Sequence, residues 1–248
     1  RARPRAGAGP PLRRHPRSQQ REPRNGEALT AGLLPCVEVG PRGKADGAVV
    51  WLHGLGADGH DFEPIVPLLE LPSVRFVFPN APVRAVTING GMPMPAWYDI
   101  LSLARAGGGN AAHVGEARAQ VDALLQREAR RGLPADRIVL AGFSQGGSVA
   151  LHAGIRYPEK LAGIMVLSGY EVLPATREAE ASPANRDTPM LFCHGAYDPL
   201  VPLAGGRAAF EAHATPGRDA RWHEFPIAHE VSEDEIAVVR DWLHARLM

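Results

Sequence analysis

The sequence predicts an α/β fold with a mainly parallel central sheet and helices on both faces, and three observations support that prediction. From about residue 47 onward, short apolar runs alternate with longer amphipathic ones, the order expected of successive βαβ units. The apolar run 137–141 leads into the motif Gly-Phe-Ser-Gln-Gly at 142–146, and a helix-like segment follows. With 248 residues, 45% of them apolar, the chain is long enough to bury a sizeable core.

Each predicted element has its own signal. Short apolar runs bounded by glycine, proline or polar residues indicate strands, and apolar residues at helical spacing indicate helices. The predicted strands are 48–52, 74–78, 137–141, 162–167, 189–193 and an outer, alternating strand at 221–225. The predicted helices are 62–69, 111–131, the segment from 147 onward, and 233–247. Residues 80–105 are expected to be an irregular loop, and residues 173–187 a polar, mobile connection.

The first 25 residues differ from the rest in charge. They hold eight arginines and one glutamate, a net charge of +7, which leaves −7 for residues 26–248 because the formal net charge is zero. A mildly acidic body argues against a nucleic-acid surface. Residues 1–28 lack periodicity and large apolar side chains, so we predict a disordered Arg/Pro-rich extension and a single domain over 29–248. We interpret the extension as a non-native or mis-started segment rather than a targeting arm.

Composition also bears on metals, disulfides and membranes. The two cysteines, Cys36 and Cys193, are far apart and show no ligand spacing, so neither a disulfide framework nor a zinc site is expected. No apolar run approaches the roughly 18 residues that a membrane span requires. The amino-terminal segment also lacks the apolar centre of a secretory signal. We therefore predict a cytoplasmic protein without stable membrane insertion.

Ser144 stands at the centre of the GxSxG motif, between a predicted strand and a predicted helix, which is the context of a nucleophile elbow. A serine hydroxyl needs a base within hydrogen-bonding reach and a third group that orients the base. In this architecture the acid and then the histidine follow the serine, each on a loop after a strand. Asp198 and His229 satisfy that order, and Asp187 is the weaker alternative acid. The sequence therefore predicts a triad of Ser144, Asp198 and His229, although Asp198 could instead only cap a turn.

Acyl transfer also requires hydrogen-bond donors aimed at the developing oxyanion. The backbone N–H of Gln145, directly after the nucleophile, is one predicted donor. The glycine-rich turn 52–56 follows the first strong strand, and we assign the second donor to Leu55. His53 in that turn is expected to fix it through a side-chain hydrogen bond, and His194 is likewise expected to be structural.

Six motifs lie in order along residues 30–248: HGLGADG at 53–59, PNAPVR at 79–84, MPAWYDI at 94–100, GFSQGG at 142–147, LSG at 167–169 and HGAYDPLVP at 194–202. Together they resemble the acyl-protein thioesterase and carboxylesterase/lysophospholipase family. The resemblance implies a compact α/β-hydrolase fold without a large cap domain, no cofactor, and hydrolysis of carboxylic esters, lysophospholipids or S-acyl thioesters. Ala196, Tyr197 and Ala228 depart from the commonest pattern, which leaves substrate preference open.

The resemblance supports the same triad and oxyanion donors, and it suggests an acyl groove flanked by residues 86–88 and 92–97, with Leu200 near its wall. Ile88, Met94 and Trp97 support a groove independently, because methionine and flat apolar side chains adapt to varied apolar ligands. The alternative is that these residues cover the sheet edge as ordinary core.

Two other functions stay open at this level. A broad-specificity short-chain carboxylesterase would differ only in what fills the groove, and a non-catalytic binding protein with the hydrolase fold would need no working triad. The expected partner is a small-molecule ester, a lysophospholipid or an S-acylated substrate. An exposed apolar groove mouth would also suit a homodimer, which composition does not decide.

Overall fold

A seven-stranded sheet runs through the computed structural model, which describes residues 32–102 and 108–248. The predicted extension at 1–28 lies outside the described residues. The strands are β1 (Cys36–Val39), β2 (Gly47–Leu52), β3 (Val74–Pro79), β4 (Val83–Val86), β5 (Met92–Pro95), β6 (Ile138–Phe143), β7 (Gly163–Leu167), β8 (Met190–Gly195) and β9 (Ala220–Phe225). The α-helices are α1 (Ala111–Arg130), α2 (Gln145–Gly154), α3 (Arg177–Glu180), α4 (Leu203–His213) and α5 (Glu233–Leu247).

The sheet has the strand order β1-β3-β2-β6-β7-β8-β9. Only β1 is antiparallel to its neighbour, and all the other pairs in this sheet are parallel. Because parallel strands all end at the same edge, the turns after β2, β6, β8 and β9 meet there. Those four turns carry Leu55, Ser144, Asp198 and His229. The predicted α/β class with a mainly parallel sheet is confirmed.

The core occupies both faces of the sheet. Alternate residues of β2 point to opposite sides, so Val50 joins one apolar cluster and Trp51 the other. The first cluster packs against α1 and α2, whose apolar residues recur at helical spacing. The second packs against α5, where Trp242 and Leu243 are buried. The residues from Leu33 to Met248 form one compact unit.

Most predicted elements are present, with ends displaced by one or two residues, but three predictions need correction. The segment 62–69 forms a 3-10 helix, Glu63–Leu69, whose internal Pro67 cannot donate a backbone hydrogen bond. The stretch 80–105 is not wholly irregular, because β4 and β5 pair as a separate antiparallel hairpin. The connection 173–187 contains α3 and two 3-10 turns, Pro174–Thr176 and Pro183–Asn185.

Two further findings concern membranes and metals. No helix in the described part of the chain has the length and apolar character needed to cross a bilayer. Within 32–102 and 108–248, no three side chains of histidine, cysteine, aspartate or glutamate are arranged to hold a metal ion. Cys36 and Cys193 are both free thiols.

Candidate active site

Ser144 occupies the sharp turn between β6 and α2 and has φ 55° and ψ −120°, a conformation that L residues rarely adopt. A Cβ on Gly142 would lie 2.3 Å from the carbonyl carbon of Gly146, and one on Gly146 would lie 2.4 Å from the carbonyl oxygen of Leu52. Both distances are far below van der Waals contact, so only glycine fits at either position. The flanking glycines of the motif therefore allow α2 to approach β2 and β6 and present the serine at the sheet edge.

The structure brings Ser144, His229 and Asp198 together, although they are far apart in sequence. His229 Nε2 lies 2.9 Å from Ser144 Oγ, and His229 Nδ1 lies 2.6 Å from Asp198 Oδ2. The Phe143 ring packs beside the imidazole, with 4.7 Å between ring centroids. A carboxylate on Nδ1 stabilises the tautomer in which Nε2 is free to accept the serine proton.

Asp198 uses its two carboxylate oxygens for different purposes. Oδ1 accepts the backbone N–H groups of Leu200 and Val201, at 2.9 and 2.8 Å, and Oδ2 is left for His229. The turn-capping role and the imidazole-orienting role considered for this residue thus coexist. The side chain is fully buried, which holds it in one position. Asp187, the alternative acid, is exposed and is not in contact with His229, so it is not the third member of this group.

The two structural histidines behave as predicted. His53 Nε2 accepts the backbone N–H of Ala81 at 3.0 Å, so its proton is on Nδ1, which donates to the Gly54 carbonyl at 2.7 Å. His194 Nε2 donates to the Val201 carbonyl at 2.9 Å. Burial lowers the pKa of both imidazoles, because the charged form would lose hydration. Both imidazoles are therefore neutral, and their hydrogen bonds stabilise the turns that carry them.

A cavity of about 700 Å³ opens beside Ser144 and His229. Leu55 and Gln145, the predicted oxyanion donors, line it together with the serine. Its wall is mostly apolar, and its volume is within the range typical of small-molecule sites. Other lining residues include Ala57, Asp61, Ile88, Asn89, Ile100, Phe143, Tyr170, Leu200, Val201, Pro202, Ala204, Gly205 and Ala208.

Of the four predicted substrate contacts, the structure places two in this wall. Ile88 and Leu200 line the cavity, whereas Met94 and Trp97 do not. Trp97 is fully buried, and its indole N–H donates to the His53 carbonyl, so this side chain belongs to the core. Met94 is half-buried, with its sulfur 3.3 Å from the amide nitrogen of Asn89. For Trp97 the alternative of ordinary core packing is the correct one.

Sequence reasoning missed the wall formed by α4. Its first turns contribute Ala204, Gly205 and Ala208, which are small and leave room for a ligand. The sequence signal was a run of alanine and glycine directly after the Asp198 turn, at helical spacing. Tyr170 and Ile100 also line the cavity and were not predicted from the sequence.

The site places a hydroxyl, an imidazole and a carboxylate in line at the carboxyl edge of a parallel sheet, beside an apolar cavity. This arrangement defines a serine hydrolase of the α/β-hydrolase fold. Residues 36–247 match the phospholipase/carboxylesterase family, and the chain belongs to that family.

Relatives and solved structures agree with this assignment. The chain is 33% identical over 224 residues to acyl-protein thioesterase 1 of Yarrowia lipolytica, covering 86% of this chain and 97% of the relative. It is 32% identical over 225 residues to a probable carboxylesterase of Oryza sativa subsp. japonica, covering 88% and 85%. The crystal structure of Zea mays acyl-protein thioesterase 2 superposes with a TM-score of 0.76 at 29% identity, covering 86% and 99%. The chain is therefore an ester or thioester hydrolase, as predicted.

Proposed function

We propose that Ser144, His229 and Asp198 are the catalytic triad of this hydrolase, and that the backbone N–H groups of Leu55 and Gln145 hold the oxyanion. The observation that carries the proposal is the unbroken hydrogen-bonded line from Asp198 through His229 to Ser144, ending at the cavity wall. Among the described residues, the Leu55 N–H donates no backbone hydrogen bond, so it is free to bind an oxygen.

The reaction proceeds in two steps. His229 accepts the proton of Ser144 as the hydroxyl oxygen attacks the acyl carbonyl, and Asp198 stabilises the resulting imidazolium. The tetrahedral oxyanion accepts hydrogen bonds from Leu55 and Gln145. When it collapses, His229 donates the proton to the departing alcohol or thiol, leaving an acyl-serine ester. Water then attacks that ester as His229 takes its proton, and when the second tetrahedral intermediate collapses, His229 returns the proton to Ser144 Oγ and the carboxylic acid is released.

We further propose that the acyl chain of the substrate lies in the cavity. The cavity wall is mostly apolar and includes Ile88, Ile100, Leu200 and Val201, which suits a hydrocarbon chain better than a sugar or a charged group. The volume of about 700 Å³ favours long acyl chains over short ones. S-acylated proteins and lysophospholipids both present such chains. A homodimer and a cytoplasmic location stay predictions from the sequence.

The test compares Ser144→Ala with the unaltered chain, on aryl esters of increasing acyl length and on an S-palmitoylated peptide, with chelator present. We expect Ser144→Ala to lose nearly all turnover and all labelling by a fluorophosphonate, while its thermal unfolding midpoint changes little. Rising kcat/KM with acyl length is expected for the unaltered chain. Persisting hydrolysis in Ser144→Ala would contradict the triad, and a preference for acetyl or butyryl esters would instead favour a short-chain carboxylesterase.

A further inference from the structure

The two proposed oxyanion donors come from separate parts of the chain. Leu55 lies on the turn after β2, and Gln145 begins α2. An oxyanion hole works only when both donors are held in advance at the distance that the transition state requires. Something must therefore fix the turn after β2 relative to the nucleophile elbow.

The side chain of Gln145 makes one half of such a link. It is 2% exposed, and its amide is used at both ends: Oε1 accepts the backbone N–H of Trp97 at 2.8 Å, and Nε2 donates to the Tyr98 carbonyl at 2.7 Å. A primary amide that bonds an N–H and a C=O of consecutive residues mimics a strand pairing, and it fixes that short segment to the elbow. Trp97 and Tyr98 are themselves buried, so the bonds are shielded from water.

The indole of Trp97 makes the other half. Its N–H donates to the carbonyl oxygen of His53 at 2.8 Å, and its ring lies 5.3 Å from the His53 imidazole. His53 precedes Leu55 by two residues. Its imidazole Nε2 accepts the backbone N–H of Ala81, which also holds this turn in place. A continuous path thus runs from Gln145 through Trp97 to the turn that carries Leu55.

We propose that Trp97 and the side chain of Gln145 are positioning residues that set the distance between the two oxyanion donors. Neither side chain touches the reacting atoms in this role. The inference rests on the proposed function, since it assumes that Leu55 and Gln145 donate to the oxyanion. It predicts that breaking the path lowers the rate of acyl transfer without weakening ground-state binding, because the donors are used fully only in the transition state.

Ordinary core packing is the competing explanation, and another tryptophan provides the matched control. Trp242 is 2% exposed, like Trp97 at 0%, but within the described residues its indole nitrogen has no hydrogen-bond partner. It lies on α5, on the other face of the sheet from α2. Replacing either residue by phenylalanine removes a similar volume, but only Trp97→Phe removes a hydrogen bond to the turn of Leu55.

The experiment measures kcat and KM for a long-chain thioester, and the inhibition constant of an alkyl boronic acid, in Trp97→Phe and Trp242→Phe. We expect Trp97→Phe to lose about 10- to 100-fold in kcat with KM nearly unchanged, and to bind the boronic acid more weakly by a similar factor. Trp242→Phe should lose stability only. If the two variants have the same kcat once both are folded, the proposal is wrong.

Gln145→Met breaks the same hydrogen-bonded path at its other end. It also replaces Trp97→Phe as the test if that variant does not fold. Methionine has nearly the length of glutamine, and the variant keeps the backbone N–H. Its side chain cannot make either of the two hydrogen bonds that the glutamine amide makes to Trp97 and Tyr98. We expect the same loss of kcat and of boronic acid affinity. A loss confined to KM would overturn the positioning role. The proposed function fails separately, by turnover that survives in Ser144→Ala, so the two failures are distinguishable.

Discussion

A Cβ on Gly195 would lie 2.0 Å from the carbonyl oxygen of Ala228. Gly195 ends β8 just before the turn that carries Asp198, and Ala228 directly precedes His229. The loops that bear Asp198 and His229 therefore pass each other with no space for a side chain between them. Backbone hydrogen bonds from Ala196 to Phe225 and from Tyr197 to Ile227, at 2.8 and 3.0 Å, join the two loops further. The close packing of these loops, together with the two backbone N–H groups bound to Asp198 Oδ1, keeps the carboxylate beside the imidazole.

Gly195→Ala is expected to displace the His229 loop and to reduce kcat strongly, because the added methyl group must push Ala228 away. Overpacking of this kind typically costs about 1–3 kcal/mol of stability. The matched control is Gly115→Ala, at an exposed position within α1 where a Cβ meets nothing within 4 Å; it should stabilise the protein by up to about 1 kcal/mol and leave kcat unchanged. Activity assays and thermal unfolding of both variants check this, and full activity in Gly195→Ala would contradict it.

Asp198→Asn should separate the two roles of Asp198. The asparagine oxygen can still accept the backbone N–H groups of Leu200 and Val201, so the turn and the fold are retained. Its NH₂ group then faces His229 Nδ1 and favours the tautomer that carries its proton on Nε2, which cannot take a proton from Ser144. We expect kcat to fall by about 10⁴-fold with little change in the unfolding midpoint. A loss of stability equal to that of Asp198→Ala would instead show that the charge itself maintains the turn.

Local sequence signals predicted the strands and the sharp turn at Ser144, because the physical causes of both are local, whereas Asp198 and His229 were predicted from their order along the chain. The GxSxG spacing reflects steric exclusion at Gly142 and Gly146, and the strands appear as short apolar runs. The hairpin of β4 and β5 escaped prediction because β5 reads Met-Pro-Met-Pro, and alternate prolines remove half of its donors.

The cavity wall was harder to predict because it depends on how distant elements pack. Trp97 lies in a loop rich in methionine and proline, which suggested a ligand groove, yet its hydrogen bond to His53 draws it into the core. Nothing in the neighbouring sequence indicates that a carbonyl 44 residues away will accept the indole N–H. Ala204 and Ala208 line the cavity, but small residues contribute to a binding site only by leaving space. Their chemistry therefore gives little indication of a role in the site.

Leu200→Ala should change the acyl-length profile. Leu200 lines the cavity and is 59% exposed in the free protein, so an acyl chain can bury it at little cost to the fold. We expect kcat/KM for long acyl chains to fall by about 10-fold, since each buried methylene contributes about 0.8 kcal/mol, while short esters are barely affected. Leu68→Ala is the matched control, because Leu68 is 52% exposed and does not line the cavity. Equal profiles for the two variants would argue against acyl binding along Leu200.

The burial of Glu235 should make the stability of the folded protein depend on pH. This residue lies in the first turn of α5 and is fully buried, and the effect of burial on its pKa outweighs that of a backbone hydrogen bond at Ser232, which favours the carboxylate. Burial raises its pKa to about 8 from an ordinary value of 4.5, and the Cys193 thiol, whose pKa is also raised by burial, lies near it. The folded protein therefore keeps this carboxyl protonated at pH values where the unfolded chain has lost the proton.

Because this carboxyl binds its proton more tightly in the folded state than in the unfolded chain, it contributes stability that is fully present below about pH 4.5. That contribution is lost as the pH rises towards 8. The loss attributable to Glu235 is on the order of a few kcal/mol. Glu235→Gln cannot ionise, so its stability relative to the unaltered chain should increase between pH 5 and pH 9 in urea unfolding. Glu233→Gln makes the same change at a position of the same turn that is exposed to water, and it should show no such increase. Parallel pH profiles for Glu235→Gln and the unaltered chain would mean that Glu235 is ionised and hydrated in the fold.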